Sequence, residues 1–99
     1  MCGAKVGGPE LSAADLATAT VIQGKVVFEG EPVAGAFVRL LDATGEFTAE
    51  VVTSPSGDYR FFARPGRWTV RALSWRGDGD AEVGAAQGVV TEAQISVTK

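Results

Sequence analysis

From Thr20 onward, apolar and polar side chains alternate with a period of two in short runs, the pattern of strands that bury one face. In a first strand over 20–28, Ile22, Val26 and Phe28 share a side with Gly24 in line between them, opposite Gln23 and Lys25. A second strand over 36–41 sets Ala36, Val38 and Leu40 against Phe37, Arg39 and Leu41. A third runs from Phe47 to Ser54. A fourth sets Tyr59, Phe61 and Ala63 against Arg60 and Phe62, and a fifth sets Trp68, Val70 and Ala72 against Arg67, Thr69 and Arg71. A sixth is expected over 81–83, and a last over 89–98 with Ile95 and Val97 facing in.

Turn chemistry separates these runs. Glu29–Gly35 and Asp42–Gly45 are Gly- and Pro-punctuated connections, and Gly57 in Ser56-Gly57-Asp58 can take positive φ. Arg64-Pro65-Gly66-Arg67 places Pro second and Gly third, as a type II turn requires, so the fifth strand is expected to return beside the fourth as a hairpin. Trp75–Asp80 reads as a flexible turn and 84–88 as a weak connection. Tyr59, Phe61 and Trp68 need a second layer to bury them. The expected fold is therefore an all-β, seven-strand antiparallel sandwich over 19–99. Its core should hold Ile22, Val26, Val38, Leu40, Tyr59, Phe61, Trp68, Val70, Ile95 and Val97. Residues 1–18, whose first nine include Gly3, Gly7, Gly8 and Pro9, read as a mobile tail in which Ser12 could cap a helical turn through Leu16.

Composition narrows the chemistry. A chain of 99 residues is one domain, and a net charge of −3 argues against nucleic acid as a partner. The absence of histidine excludes Ser-His-Asp and Cys-His catalysis and histidine metal sites. One cysteine permits no internal disulfide, which fits a reducing compartment. No apolar run suits a signal peptide or a membrane span, so a cytoplasmic protein that does not enter membranes is expected. Asp78, Asp80 and Glu82 lack the spacing of a calcium loop and read as a solvated turn. No cofactor and no metal are implied.

Two features could carry chemistry. If Met1 is removed, Cys2 becomes the terminal residue, and its α-ammonium lowers the thiol pKa below the usual value of about 8.5. An accessible thiolate there could accept sulfane sulfur as a persulfide; the alternative is an inert thiol in a tail. Arg39, Arg60, Arg67 and Arg71 take outward positions on strands two, four and five, with Phe37 and Phe62 on the same faces. If those strands share one sheet, they form a basic patch with aromatic edges, suited to a thiosulfate-like anion or an acidic partner surface. The alternative is cross-strand pairing with Glu46, Glu50 or Glu82.

The run Gly24-x-Val26, Pro32-x-x-Gly35-Ala36-x-Val38-x-Leu40, Ser56-Gly57-Asp58-Tyr59-x-Phe61 and Pro65-Gly66-x-Trp68-x-Val70 resembles the carboxypeptidase-regulatory-domain type of transthyretin-like sandwich. Met1-Cys2-Gly3, Val38–Asp42, Gly45–Val51, Phe61-Phe62-Ala63 and Trp68–Leu73 resemble, more narrowly, a small bacterial family of uncharacterised cytoplasmic proteins. That family is typically encoded beside rhodanese-type thiosulfate sulfurtransferases. The resemblance implies an accessory protein that docks such an enzyme, with Cys2 as candidate sulfur acceptor. The reading of a different class is a structural or interaction module, with homo-oligomerisation through an exposed strand edge as one form of it.

Overall fold

The computed structural model describes residues 5–6 and 19–99. Ten strands and no helix form among them. They are β1 (Lys5–Val6), β2 (Thr20–Phe28), β3 (Glu31–Pro32), β4 (Phe37–Leu41), β5 (Phe47–Val52), β6 (Asp58–Ala63), β7 (Gly66–Ser74), β8 (Gly77–Ala85), β9 (Val90–Glu92) and β10 (Ile95–Ser96). The proposed cap at Ser12 lies outside the described residues. No helix among them is long and apolar enough to cross a membrane.

Two sheets pack face to face. In one, β2 is the hub: β6 and β3 pair antiparallel with it, and β9 and β10 pair parallel. The other runs in the order β1-β5-β4-β7-β8, with β1 parallel to β5 and the remaining pairs antiparallel. This is the expected all-β sandwich, in which a parallel component enters through the chain termini. The seven expected strands are all present. β1 and β3 are added, and the last strand is divided in two.

The alternation on each strand places the core. Ile22, Val26, Val38, Leu40, Tyr59, Phe61, Val70, Ile95 and Val97 are buried, as expected, together with Val33, Ala36, Val51, Ala72 and Ala85. Trp68 is only half-buried and packs on the margin of this cluster, where its indole Nε1 can donate to the Arg64 carbonyl at 2.8 Å. A buried hydroxyl ties the end of β5 to the β3–β4 loop: Thr53 Oγ1 donates to the Val33 carbonyl and accepts from the Ala36 amide. The turn before β6 closes when the Gly57 amide donates to the Ser54 carbonyl, with Gly57 at φ 81°.

Three local expectations are corrected. β6 and β7 do not form a hairpin: β6 pairs with β2, while β7 pairs with β4 and β8 in the other sheet. The Arg64-Pro65 link, with Gly66 at φ 142°, is a crossing between layers. Crossing puts Phe61 and Val70 on opposing sheets, where both join one core, whereas a flat hairpin would align them on the same layer. The hairpin that β7 does form is with β8, and its turn is only Trp75-Arg76. Gly77 to Asp80, read as turn, belong to β8 because their glycines serve a different purpose. A Cβ on Gly79 would lie 2.2 Å from the Ser96 carbonyl oxygen, and one on Gly77 2.3 Å from that of Thr98. The C-terminal segment passes that close to β8, and Asp78 and Thr98 exchange backbone hydrogen bonds of 3.0 Å. Lastly, the final strand breaks at Ala93, whose amide donates to the Gln23 carbonyl.

Candidate functional site

The outer face of the β5-β4-β7-β8 sheet gathers most of the expected candidates. Strand parity sends Phe37 and Arg39 outward from β4, Arg67 and Arg71 from β7, and Asp78, Asp80 and Glu82 from β8. Register then sets a row of four charges across four strands, because Arg39 faces Glu50 on one side and Arg71 on the other, and Arg71 faces Asp80. Arg39 Nε donates to Glu50 Oε2 at 2.9 Å, and Arg71 Nη2 lies 3.5 Å from Asp80 Oδ2. Arg67 Nη2 is 3.5 Å from Glu82 Oε1 at the strand's other end. The parallel row above is apolar over β5, β4 and β7, with Phe37 opposite both Val52 and Leu73, and ends at Asp78 on β8. A shallow groove of about 440 Å³ lies beside it, lined by Arg71, Leu73, Asp78, Gly79 and Asp80.

Arg60 and Phe62 do not share this face. β6 belongs to the β2 sheet, so the single patch expected from all four arginines is corrected to two separate surfaces. The cause is the layer crossing at Arg64-Pro65. On the β2 sheet, Arg60 Nε donates to Gln23 Oε1 at 2.9 Å, and Gln23 Nε2 donates to Glu92 Oε2 at 3.1 Å. Phe62 stands opposite Val21 in the next row, 43% exposed. Nor is the outer face of the other sheet simply basic, since Arg39, Arg67 and Arg71 each meet a carboxylate there. Pairing with Glu50 and Glu82 follows one of the two readings of the sequence. Asp80 as the partner of Arg71 does not, because it was assigned to a turn. The i, i+2, i+4 spacing of Asp78, Asp80 and Glu82 was the available strand signal.

The sequence also passed over the β7–β8 hairpin tip. Trp75 is 73% exposed there, and the Arg76 guanidinium stacks 4.4 Å from its ring and 5.2 Å from that of Phe28. Elsewhere, Lys25 Nζ on Asp58 at 2.8 Å holds that carboxyl below its ordinary range. Asp42, which accepts from the Thr44 hydroxyl and from the Glu46 and Thr44 amides in the β4–β5 turn, is lowered likewise. Cys2, the candidate sulfur acceptor, lies outside the described residues. Among those residues no group of three or more Cys, Asp or Glu side chains is placed to hold a metal ion.

A family model described as "Protein of unknown function (DUF1416)" matches residues 2–97. The chain belongs to the DUF1416 family. The uncharacterized proteins Rv0814c and Rv3118 of Mycobacterium tuberculosis are each 52% identical to it over 100 residues, covering 99% of this chain and 100% of theirs. An uncharacterized protein of Mycolicibacterium smegmatis is 55% identical over 84 residues, or 84% of this chain and 93% of its own.

Solved structures similar to this DUF1416 chain share its fold alone. The catechol 1,2-dioxygenase of Acinetobacter sp. ADP1 aligns with a TM-score of 0.65 at 12% identity, over 100% of this chain and 59% of its own. A DUF3823 family protein of Parabacteroides merdae aligns with a TM-score of 0.63 at 14% identity, over 83% of this chain and 47% of its own. The chain thus spans about half the length of these structures. The likeness supports the β-sandwich fold described above.

Proposed function

We propose that this DUF1416 protein is an accessory docking module whose outer β5-β4-β7-β8 face receives a partner protein. The observation that carries this reading is the composition of that face. Phe37 and Phe47 are 46% and 63% exposed beside the Arg39–Arg71 row, and aromatic residues and arginine are enriched at protein interfaces relative to the rest of the surface. The rim charges are already matched in pairs worth little to stability, so they are disposed for partner selection rather than for holding the fold.

The partner in this reading is a rhodanese-type thiosulfate sulfurtransferase. What supports that choice is the resemblance of Met1-Cys2-Gly3 and the β4, β5, β6 and β7 segments to proteins encoded beside such enzymes. In it, Cys2 takes sulfur from the enzyme. The Cys2 thiolate attacks the terminal sulfur of the enzyme's persulfide, the enzyme's S–S bond breaks, its cysteine leaves as thiolate, and Cys2 becomes the persulfide; no external oxidant is needed. The test mixes the protein with thiosulfate and the neighbouring sulfurtransferase. Complex formation weakened by Phe37→Ala, with a mass gain of one sulfur absent in Cys2→Ser, supports the reading. An unmodified protein that binds no sulfurtransferase overturns it.

A second reading is self-association through a strand edge. It is favoured by β5, which β1 covers only at Val51 and Val52, so that among the described residues Phe47 to Glu50 have no neighbouring strand on that side. Sedimentation of the free protein over a range of concentrations distinguishes it.

A further inference from the structure

Arg39 and Arg71 are direct cross-strand partners, so two like charges project from neighbouring backbone positions. Like charges directly opposite each other cost a sheet stability. Here the cost is contained by Glu50 and Asp80 on the outer flanks, and the row reads acid, arginine, arginine, acid. Each guanidinium spends one contact on its flanking carboxylate, at 2.9 Å for Arg39 and 3.5 Å for Arg71. A guanidinium has five N–H donors. Neither makes another hydrogen bond among the described residues, and both side chains are 47% exposed. The two arginines, with their remaining donors, stand on either side of the line between β4 and β7. Apolar Phe37 and Leu73 border that gap on one side, and Leu41 and Thr69 on the other.

We propose that the gap between Arg39 and Arg71 receives a side-chain carboxylate from an acidic, partly apolar segment of the docking partner. The inference rests on the docking reading above and names the group that reading leaves open. Charge complementarity selects an anion, because the counterpart of acid–arginine–arginine–acid carries its negative charge in the middle. The same row selects a protein carboxylate over a free anion. Its four charges sum to zero and the whole chain carries −3, so no long-range field draws in a small anion. Strength has to come from drying the contact, and that requires neighbouring apolar residues of the same partner to cover Phe37 and Leu73. A planar carboxylate also suits two guanidinium forks at once.

The probe is a blocked hexapeptide of alternating leucine and glutamate, with the leucine–glutamine peptide and sulfate as comparisons. Binding is followed by NMR of the isotope-labelled full chain, including the arginine Nε–H signals. The expected result is saturable shifts at Arg39 and Arg71, at least ~10-fold weaker binding of the glutamine peptide, and a similar loss in R39Q and in R71Q. R60Q, on the other sheet, should bind as the parent does, and all three variants should keep the parent's backbone spectrum. Equal binding of the glutamine peptide, the same shifts with sulfate alone, or undiminished binding by R39Q and R71Q overturns the proposal. The two readings fail separately. A sulfurtransferase complex sensitive to Phe37→Ala but not to R39Q or R71Q leaves the docking face standing and removes the carboxylate site. Peptide binding at Arg39 and Arg71 without any sulfurtransferase complex does the reverse.

Discussion

Tyr59 lies directly opposite Gly24 across the β2–β6 pair, and its hydroxyl donates a hydrogen bond to the carbonyl of Ala93. The missing side chain at Gly24 leaves room for that arrangement. A Cβ there would stand 1.8 Å from the Ala93 oxygen and 3.1 Å from the Tyr59 hydroxyl. The Ala93 crossing between β9 and β10 is thereby seated on the hub strand, with the Ala93 amide bonded to the Gln23 carbonyl at 2.8 Å. Gly24→Ala forces backbone to move, which no rotamer change can avoid. It should cost about 3 kcal/mol, at the upper end of overpacking effects. Chemical denaturation compared with the parent checks this, and a loss near zero would show that the Ala93 crossing is not held there.

The same tyrosine links the fold to alkaline pH. Burial, with a smaller contribution from the charge of Glu92, raises the Tyr59 pKa well above its ordinary value of 10.0. Below pH 10 the phenol is neutral in both states and its contribution is complete; above it the unfolded chain ionises first, so stability falls as pH rises. Tyr59 is the only tyrosine, so tyrosinate absorbance reports on it alone. Ionisation should coincide with loss of the β-sheet circular dichroism signal. Ionisation near pH 10 with the fold intact would contradict it. Tyr59→Phe should remove this pH dependence and cost about 1–2 kcal/mol for the lost hydrogen bond.

What alternation could specify, the sequence made legible. Strand existence, facing and most of the core follow from local period, and nine of the ten expected core residues are buried, Trp68 excepted. Which strands pair is not a local property. Arg64-Pro65-Gly66-Arg67 carries the signals of a hairpin turn, yet β6 and β7 enter different layers and both contribute to one core. Gly77 and Gly79 carried the signals of a turn because glycine tolerates both tight turns and close backbone approach. Only the path of Ser96–Thr98 decides between them. The candidate site inherits the same division. Outward parity of Arg39, Arg67 and Arg71 was readable, whereas the separation of Arg60 and the match of Arg71 with Asp80 depend on pairing.

Phe61 is 3% exposed and sits in the shared core with its ring centroid 6.0 Å from that of Tyr59. Removing it opens a cavity between two sheets whose backbones are fixed by their ladders, which limits collapse. Phe61→Ala should cost about 3–5 kcal/mol. In a domain this small that is a large share of the total stability. Thermal unfolding should show a loss of this size or an unfolded protein, and a variant as stable as the parent would refute the packing.

The charged row should behave in the opposite way. Glu50, Arg39, Arg71 and Asp80 lie at the surface, and the Arg71–Asp80 contact is long at 3.5 Å between partners 47% and 56% exposed. Such a pair gains little over hydration and is screened by salt. The Arg39–Glu50 contact is shorter, at 2.9 Å, and Glu50 is only 20% exposed, so it should be the stronger of the two. A double-mutant cycle over Arg71→Gln and Asp80→Asn should give a coupling below about 0.5 kcal/mol, and one over Arg39→Gln and Glu50→Gln up to about 1 kcal/mol. Single loss of Asp80 carries a further consequence, because it leaves Arg71 facing Arg39 without its counter-charge. Asp80→Asn should therefore destabilise more at low salt than at high salt, while Arg71→Gln, which also removes the like-charge opposition, should be nearly neutral at both. Denaturation midpoints for the two variants at low and high ionic strength decide the matter. Equal losses that ignore salt would mean that the two arginines do not feel each other across the strands.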